Sequence, residues 1–181
     1  LAAAWAHRAG IEGADRLIAD TWDFMEAQFY EPGHSAYADE RDASLATLSS
    51  YRGQNANMHT VEALIAAFEA TGEARYLDRA DLVANRFTVD LATGADGQIW
   101  EHYTAEWQHD WNYNIDKPDD LFKPWGCQPG HQVEWTKLLL QLDAHRPADW
   151  HLATATRLYD KAMDRGWDQD HGGLVYGYAP D

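Results

Sequence analysis

The sequence predicts an all-α toroid, an inner ring of helices around a cavity with an outer ring behind it, to which this chain contributes three helix hairpins. Three observations predict it. Apolar residues recur at helical spacing in paired segments. Each pair is followed by a glycine-rich turn flanked by aromatics, and one long aromatic loop separates the second pair from the third. Three hairpins make half of a six-hairpin closed barrel. An open solenoid is the competing architecture, but its repeats are shorter and more uniform.

Residues 1–9 read as the end of a helix stopped by Gly10, and 14–29 follow with Leu17, Ile18, Trp22, Met25 and Phe29 on one face. Residues 58–70 carry Val61, Leu64, Ile65 and Phe68, and Thr71-Gly72 supplies a glycine stop. Residues 74–91 succeed them after a short turn. Residues 131–144 carry Trp135, Leu138, Leu139 and Leu142; a break falls at Arg146-Pro147, and 148–165 close the third pair. Short β-hairpins are expected over 30–37, 93–100 and 168–176, because glycine tolerates the positive φ of tight turns. The segment 101–128 is long for a loop, and Trp107, Trp111, Tyr113 and Trp125 within it predict an ordered pocket wall rather than disorder.

Composition narrows the function. With 14 Lys+Arg against 30 Asp+Glu in 181 residues, the formal charge of −16 repels phosphate backbones and anionic membranes, which argues against nucleic-acid or lipid partners. No run approaches the ~18 apolar residues of a membrane span. A single cysteine, Cys127, fits a reducing, cytoplasmic setting. The chain starts at Leu1 inside an apolar pattern and stops at Asp181 after a strand-like run. It is therefore expected to be one part, 1–181, of a larger catalytic domain that works as a monomer or homodimer. Nine Trp and nine Tyr suit core packing, and equally the aromatic faces on which sugar rings lie.

Two segments repeat one another. Asn57-Met58-His59-Thr60-Val61-Glu62 opens one helix and His131-Gln132-Val133-Glu134-Trp135 another. In each, Glu follows His by three residues, so both side chains share a face one turn apart. Imidazole beside carboxylate is equipment for moving protons near neutral pH. Two such couples predict acid–base groups aimed at one cavity.

The wording around these couples goes further. Tyr51-Arg52-Gly53-Gln54-Asn55-Ala56-Asn57-Met58-His59, with Glu69-Ala70-Thr71-Gly72 beyond it, and Lys123-Pro124-Trp125-Gly126-Cys127-Gln128-Pro129-Gly130-His131 resemble two hallmarks of the N-acylglucosamine 2-epimerase family. Gly166-Trp167-Asp168 with Gly172-Gly173 resembles a weaker third. The first motif is most similar to the family's aldose–ketose isomerase branch, mannose isomerases among them. The resemblance implies an (α/α)6 barrel, here about half of one. It implies a sugar isomerase using histidine-mediated proton transfer through a cis-enediol, with a sugar 2-epimerase as the alternative outcome. It also implies a small sugar substrate and no cofactor or metal.

Carried over residue by residue, the resemblance implies that His131 is catalytic, that Glu134 is the carboxylate working with it, and that His59 is a further active-site histidine. Asn55 and Met58 are implied to line the sugar site, with Arg52, Glu62, Lys123 and Trp125 as further substrate contacts. Another essential histidine is expected beyond Asp181; His171, in the third turn, is not it. Read as residues alone, Asn55 could instead cap a helix beginning near Met58, and Glu62 could brace His59. Three other functions compete. An inverting glycoside hydrolase would draw on Asp96, Glu101, Glu106, Asp110 or Asp116. A metal site could be built from His59, Glu62, His131 and Glu134. A non-catalytic sugar-binding protein would leave the doubled couples without a task.

Overall fold

Six helices form at the six predicted segments. In the computed structural model, which describes residues 1–180, they are α1 (Ala2–Arg8), α2 (Ala14–Gln28), α3 (Gln54–Thr71), α4 (Ala74–Asn85), α5 (Pro129–His145) and α6 (Asp149–Gly166). α4 runs on into a π-helical stretch, Arg86–Leu91, so the predicted helix over 74–91 is one rod with a widened end. Each helix packs on its hairpin partner, while α1 meets α3 and α3 meets α5. The odd helices therefore form an inner row with the even ones behind. Burial follows: α6 hides a single stripe, His151, Thr154, Ala155, Leu158 and Ala162, as an amphipathic outer helix does.

Both inner helices that carry the motifs begin earlier than their apolar patterns. α3 starts at Gln54 because Asn57 sits inside its first turn rather than capping it. The Asn57 amide donates to Tyr37 O at 2.8 Å and Gly53 O at 3.0 Å and accepts the Tyr37 N–H at 2.7 Å. Asn55 is therefore an exposed first-turn residue and not a cap. α5 starts at Pro129, whose missing N–H is no loss at a helix's first position.

Only the first expected hairpin is a paired one, with β1 (Tyr30–Glu31) antiparallel to β2 (Ala36–Tyr37). Residues 92–97 instead close two tight turns, Gly94 N–H to Leu91 O and Gly97 N–H to Ala92 O. The chain beyond them forms β4 (His102–Tyr103), which pairs with a distant partner, β3 (Arg52–Gly53). The third hairpin is reduced to the bridge Trp167–Leu174. The loop 101–128 is ordered, as its aromatics predicted: Trp107 is 2% exposed, and Trp111 lies flat on His109 with ring centroids 4.7 Å apart. At Gly126, φ is +110° and a Cβ would lie 2.7 Å from Tyr178 O, so only glycine fits the backbone approach that pairs Cys127 with Tyr178.

The core lies between the helix rows. Phe87 stacks on Trp135 at 5.9 Å, surrounded by fully buried Met58, Leu138, Leu139 and Leu142. Truncating one such aromatic to alanine costs about 3–5 kcal/mol. Among the described residues no helix is long and apolar enough to cross a membrane.

Candidate active site

The short β3–β4 ladder assembles the site. Its register sets Gly53 opposite His102, and the next backbone link, Gln54 N–H to Glu101 O at 3.1 Å, brings Glu101 to the start of α3. Gln132, in the first turn of α5, uses its side-chain amide to grip both backbone groups of Ile99, at 3.0 and 2.9 Å. The segment leading into β4 is thus tied to α5 one residue from His131. Side chains on a helix lean toward its N-terminus, and His131 leans off the start of α5 onto Glu101.

His131 Nδ1 lies 3.0 Å from each carboxylate oxygen of Glu101. Glu101 is only 3% exposed, whereas the His131 side chain is 28% exposed. The Gln54 side-chain nitrogen donates to Glu101 Oε2 at 2.8 Å and lies 2.9 Å from His131 Nδ1. Burial opposes charging the His131 ring, but the hydrogen bond and charge of Glu101, with Glu134 adding at longer range, outweigh it and raise its pKa. With Nδ1 committed, Nε2 is the nitrogen left for chemistry.

The carboxylate on His131 is therefore Glu101, not Glu134. The helical spacing does keep Glu134 on the same face, but one turn on, where it joins the other couple. His59, Glu62 and Glu134 bring ligand-type atoms within 4.8 Å of one another. His59 Nδ1 stands 3.4 Å from Glu62 Oε2, and Lys137 Nζ reaches Glu62 Oε1 at 3.1 Å. Burial favours the neutral Glu62 acid, yet the hydrogen bonds from Lys137 and His59 hold its pKa below the usual value. Such a trio could ligate a divalent ion, with Lys137 as the competing cation. His59 is more than half exposed and edges an apolar cleft of about 480 Å³ between α1, α2 and α3. Glu134 is the residue common to the two couples.

The other expected substrate contacts divide. Asn55 is exposed on the first turn of α3. Met58 is 0% exposed in the core between helix rows rather than lining a sugar site. Arg52, 3% exposed, spends its guanidinium on Glu31, Nε to Oε2 at 2.7 Å and Nη2 to Oε1 at 2.8 Å, and on the carbonyls of Ser49 and Tyr51. That fork is closed to a substrate and acts as a buried clamp. Lys123 is paired with Glu40 at 2.8 Å and lies over the Tyr51 ring. Trp125 donates its indole N–H to Trp111 O at 2.7 Å and walls a different cleft, described below. Spacing missed the roles of Glu101 and Gln54: by sequence Glu101 stands only among the carboxylates of the competing hydrolase, and Gln54 only as a member of the first motif.

Comparison with known proteins identifies the family. The profile of the N-acylglucosamine 2-epimerase (GlcNAc 2-epimerase) family matches residues 1–181. A D-mannose isomerase of Marinomonas mediterranea is 50% identical over 173 residues, 95% of this chain and 44% of that protein. One from Thermobifida fusca is 38% identical over 179 residues, 97% of this chain and again 44% of the relative. A crystal structure of a D-mannose isomerase superposes with a TM-score of 0.97 at 49% identity, covering 99% of this chain and 46% of that one. The cellobiose 2-epimerase of Spirochaeta thermophila superposes with a TM-score of 0.66 at 15% identity, over 98% of this chain and 59% of that one, a likeness of fold. The chain spans under half the length of the curated relatives it matches. Its helices are part of an (α/α)6 barrel, and the chain belongs to the N-acylglucosamine 2-epimerase family.

Proposed function

We propose that this chain contributes the His131–Glu101 acid–base group of an aldose–ketose isomerase of the mannose/fructose type. The observation that carries the reading is one imidazole with Nδ1 held by a buried carboxylate and Nε2 without a partner among the described residues, on a partly exposed ring. Likeness to D-mannose isomerases supports the substrate class.

The chemistry is proton abstraction beside a carbonyl. After the sugar ring opens, His131 Nε2 removes the proton from C2, the freed electron pair forms the C1–C2 double bond, and the C1 oxygen takes up a proton to give the cis-enediol. The charge gained by the ring is offset by Glu101, which accepts the Nδ1–H throughout. Returning the proton from Nε2 to C1 while the C2 hydroxyl gives up its own yields the ketose. His59, braced by Glu62, is suited to exchanging hydroxyl protons at the same substrate, with Glu134 between the two rings. In this reading Asn55, an exposed amide on the first turn of α3, holds a sugar hydroxyl. The substrate is a small neutral sugar, and the setting is the cytoplasm.

Full-length enzyme incubated with mannose in deuterated water tests this. The first-formed product is expected to be fructose labelled at C1, and His131→Asn is expected to lower turnover by about 10²–10⁴-fold. Label at C2 of an epimeric aldose would assign the epimerase outcome that the family name describes. A His131→Asn enzyme within about tenfold of the parent would remove the proposed base.

A further inference from the structure

A second cleft, of about 380 Å³, lies between the tight turns at 92–97 and the aromatic loop, and none of its lining residues belongs to the His131–Glu101 or His59–Glu62 groups. Trp111, Trp125, Gln98, Asn112 and Asp96 face it. Its construction is specific. Gly94 leaves room for His109, which a Cβ there would approach within 2.6 Å. His109 is fixed by donating Nε2–H to Leu91 O at 3.0 Å, and its ring is the shelf on which Trp111 lies parallel, at 4°. Trp111 still keeps 38% of its surface exposed. Gln98 is 1% exposed, yet its side-chain oxygen has no hydrogen-bond partner among the described residues. Buried amide oxygens are rarely left so, because each forfeits a hydrogen bond it had in water.

The lining chemistry selects the ligand. Asp96 is already paired with Lys161, no cation among the described residues lines the cleft, and the chain's charge is −16, so an anion is disfavoured. A single carboxylate is too few for a metal site. Two indoles beside two amides fit a molecule with one apolar C–H face and a rim of hydroxyls. At the small end of the ~300–1,000 Å³ range of ligand clefts, the volume suits one monosaccharide ring. We propose that this cleft is a carbohydrate-binding site that takes a single closed pyranose of a neutral hexose, stacked on Trp111 and Trp125 and hydrogen-bonded to Gln98 and Asn112. Such a site would hold the ring-closed sugar at the enzyme surface, apart from proton transfer.

The test is indole N–H NMR of the full-length enzyme titrated with methyl α-D-mannopyranoside, whose blocked anomeric carbon prevents ring opening and turnover. The Trp111 and Trp125 resonances are expected to shift saturably in the millimolar range. The Trp107 resonance, whose N–H is held by Glu31 at 2.9 Å, should stay fixed and report an intact fold. Gln98→Met, which keeps the volume, and Asn112→Ala, at an exposed position, should each weaken the titration about fivefold, the loss of one neutral hydrogen bond. Absence of a shift up to about 100 mM sugar, including the case where later residues of the full chain fill the cleft, overturns the proposal. So does a titration that neither variant weakens.

Discussion

Trp135 donates its indole N–H to the Gln54 side-chain oxygen at 2.7 Å. An indole can only donate, so this bond fixes which way the amide faces and turns its nitrogen toward Glu101 and His131. The amide nitrogen donates to Glu101 Oε2 at 2.8 Å, and Glu101 in turn accepts the Nδ1–H of His131. The relay therefore holds the carboxylate, and through it the ring, in place through both halves of a proton transfer.

Trp135→Phe should free the amide to rotate. The expected result is a roughly tenfold fall in kcat with KM nearly unchanged. A stability loss of about 1–3 kcal/mol should accompany it, because Gln54 is fully buried and its oxygen would lose its partner. Steady-state kinetics and denaturant melts measure both. A KM effect alone would mean that Gln54 works on substrate rather than on the dyad.

Glu101→Gln addresses the identity of the carboxylate. A basic His131 is required for abstraction, so the acid limb of kcat/KM is expected above the ordinary imidazole value of 6.5. Replacing Glu101 removes the chief raising influence and leaves burial, which lowers the pKa; the limb should move to lower pH while the maximum falls about 10²-fold or more. Glu134→Gln should move it less. The raised pKa also links to stability: the pair contributes fully below pH 6.5, and that contribution is lost as pH rises through the folded-state value. Equal shifts for the two variants would restore Glu134 as the partner.

The contrast between these two carboxylates marks what sequence spacing can see. Glu134 shares a helix with His131, so periodicity finds it. Glu101 arrives from a separate segment, just before β4, through a β3–β4 pairing that no local pattern encodes. The six helices were legible because each has its own apolar period, and the family was legible from the words around His59 and His131. The hairpin expected over 93–100 was not realised, since its glycines serve turns that feed a long-range ladder. Met58 and Arg52 show the same limit: motif membership identified them, but only packing shows Met58 in the core and Arg52 closed on Glu31.

Arg52 carries the third expectation. Arg52→Ala leaves Glu31 without its bidentate partner in a largely buried setting, at a cost of about 3 kcal/mol. Arg52→Lys should rescue little, because an ammonium cannot reproduce the two parallel bonds. Thermal melts of the full-length variants should show this loss, with KM for sugar close to that of the parent among the molecules that fold. A raised KM with unchanged melting would return Arg52 to the substrate site.

Asp39 gives the last. Its carboxylate accepts the Gly53 N–H at 2.7 Å beside the β3–β4 ladder, and burial, outweighing that bond and the charges of Lys123 and Arg52, pushes its pKa up to about 7. An acid whose folded pKa is raised favours the fold while protonated. Its contribution is complete below the ordinary 3.8 and is lost as pH climbs toward about 7. Asp39→Asn keeps an oxygen for the Gly53 N–H and cannot ionise. Relative to the parent it should therefore gain stability progressively between those limits, by at least about 1 kcal/mol at neutral pH. Denaturant titrations of both proteins across that range measure the difference. A gap that does not change with pH would show that Asp39 is ionised throughout, its charge held by Lys123 and Arg52 despite the burial.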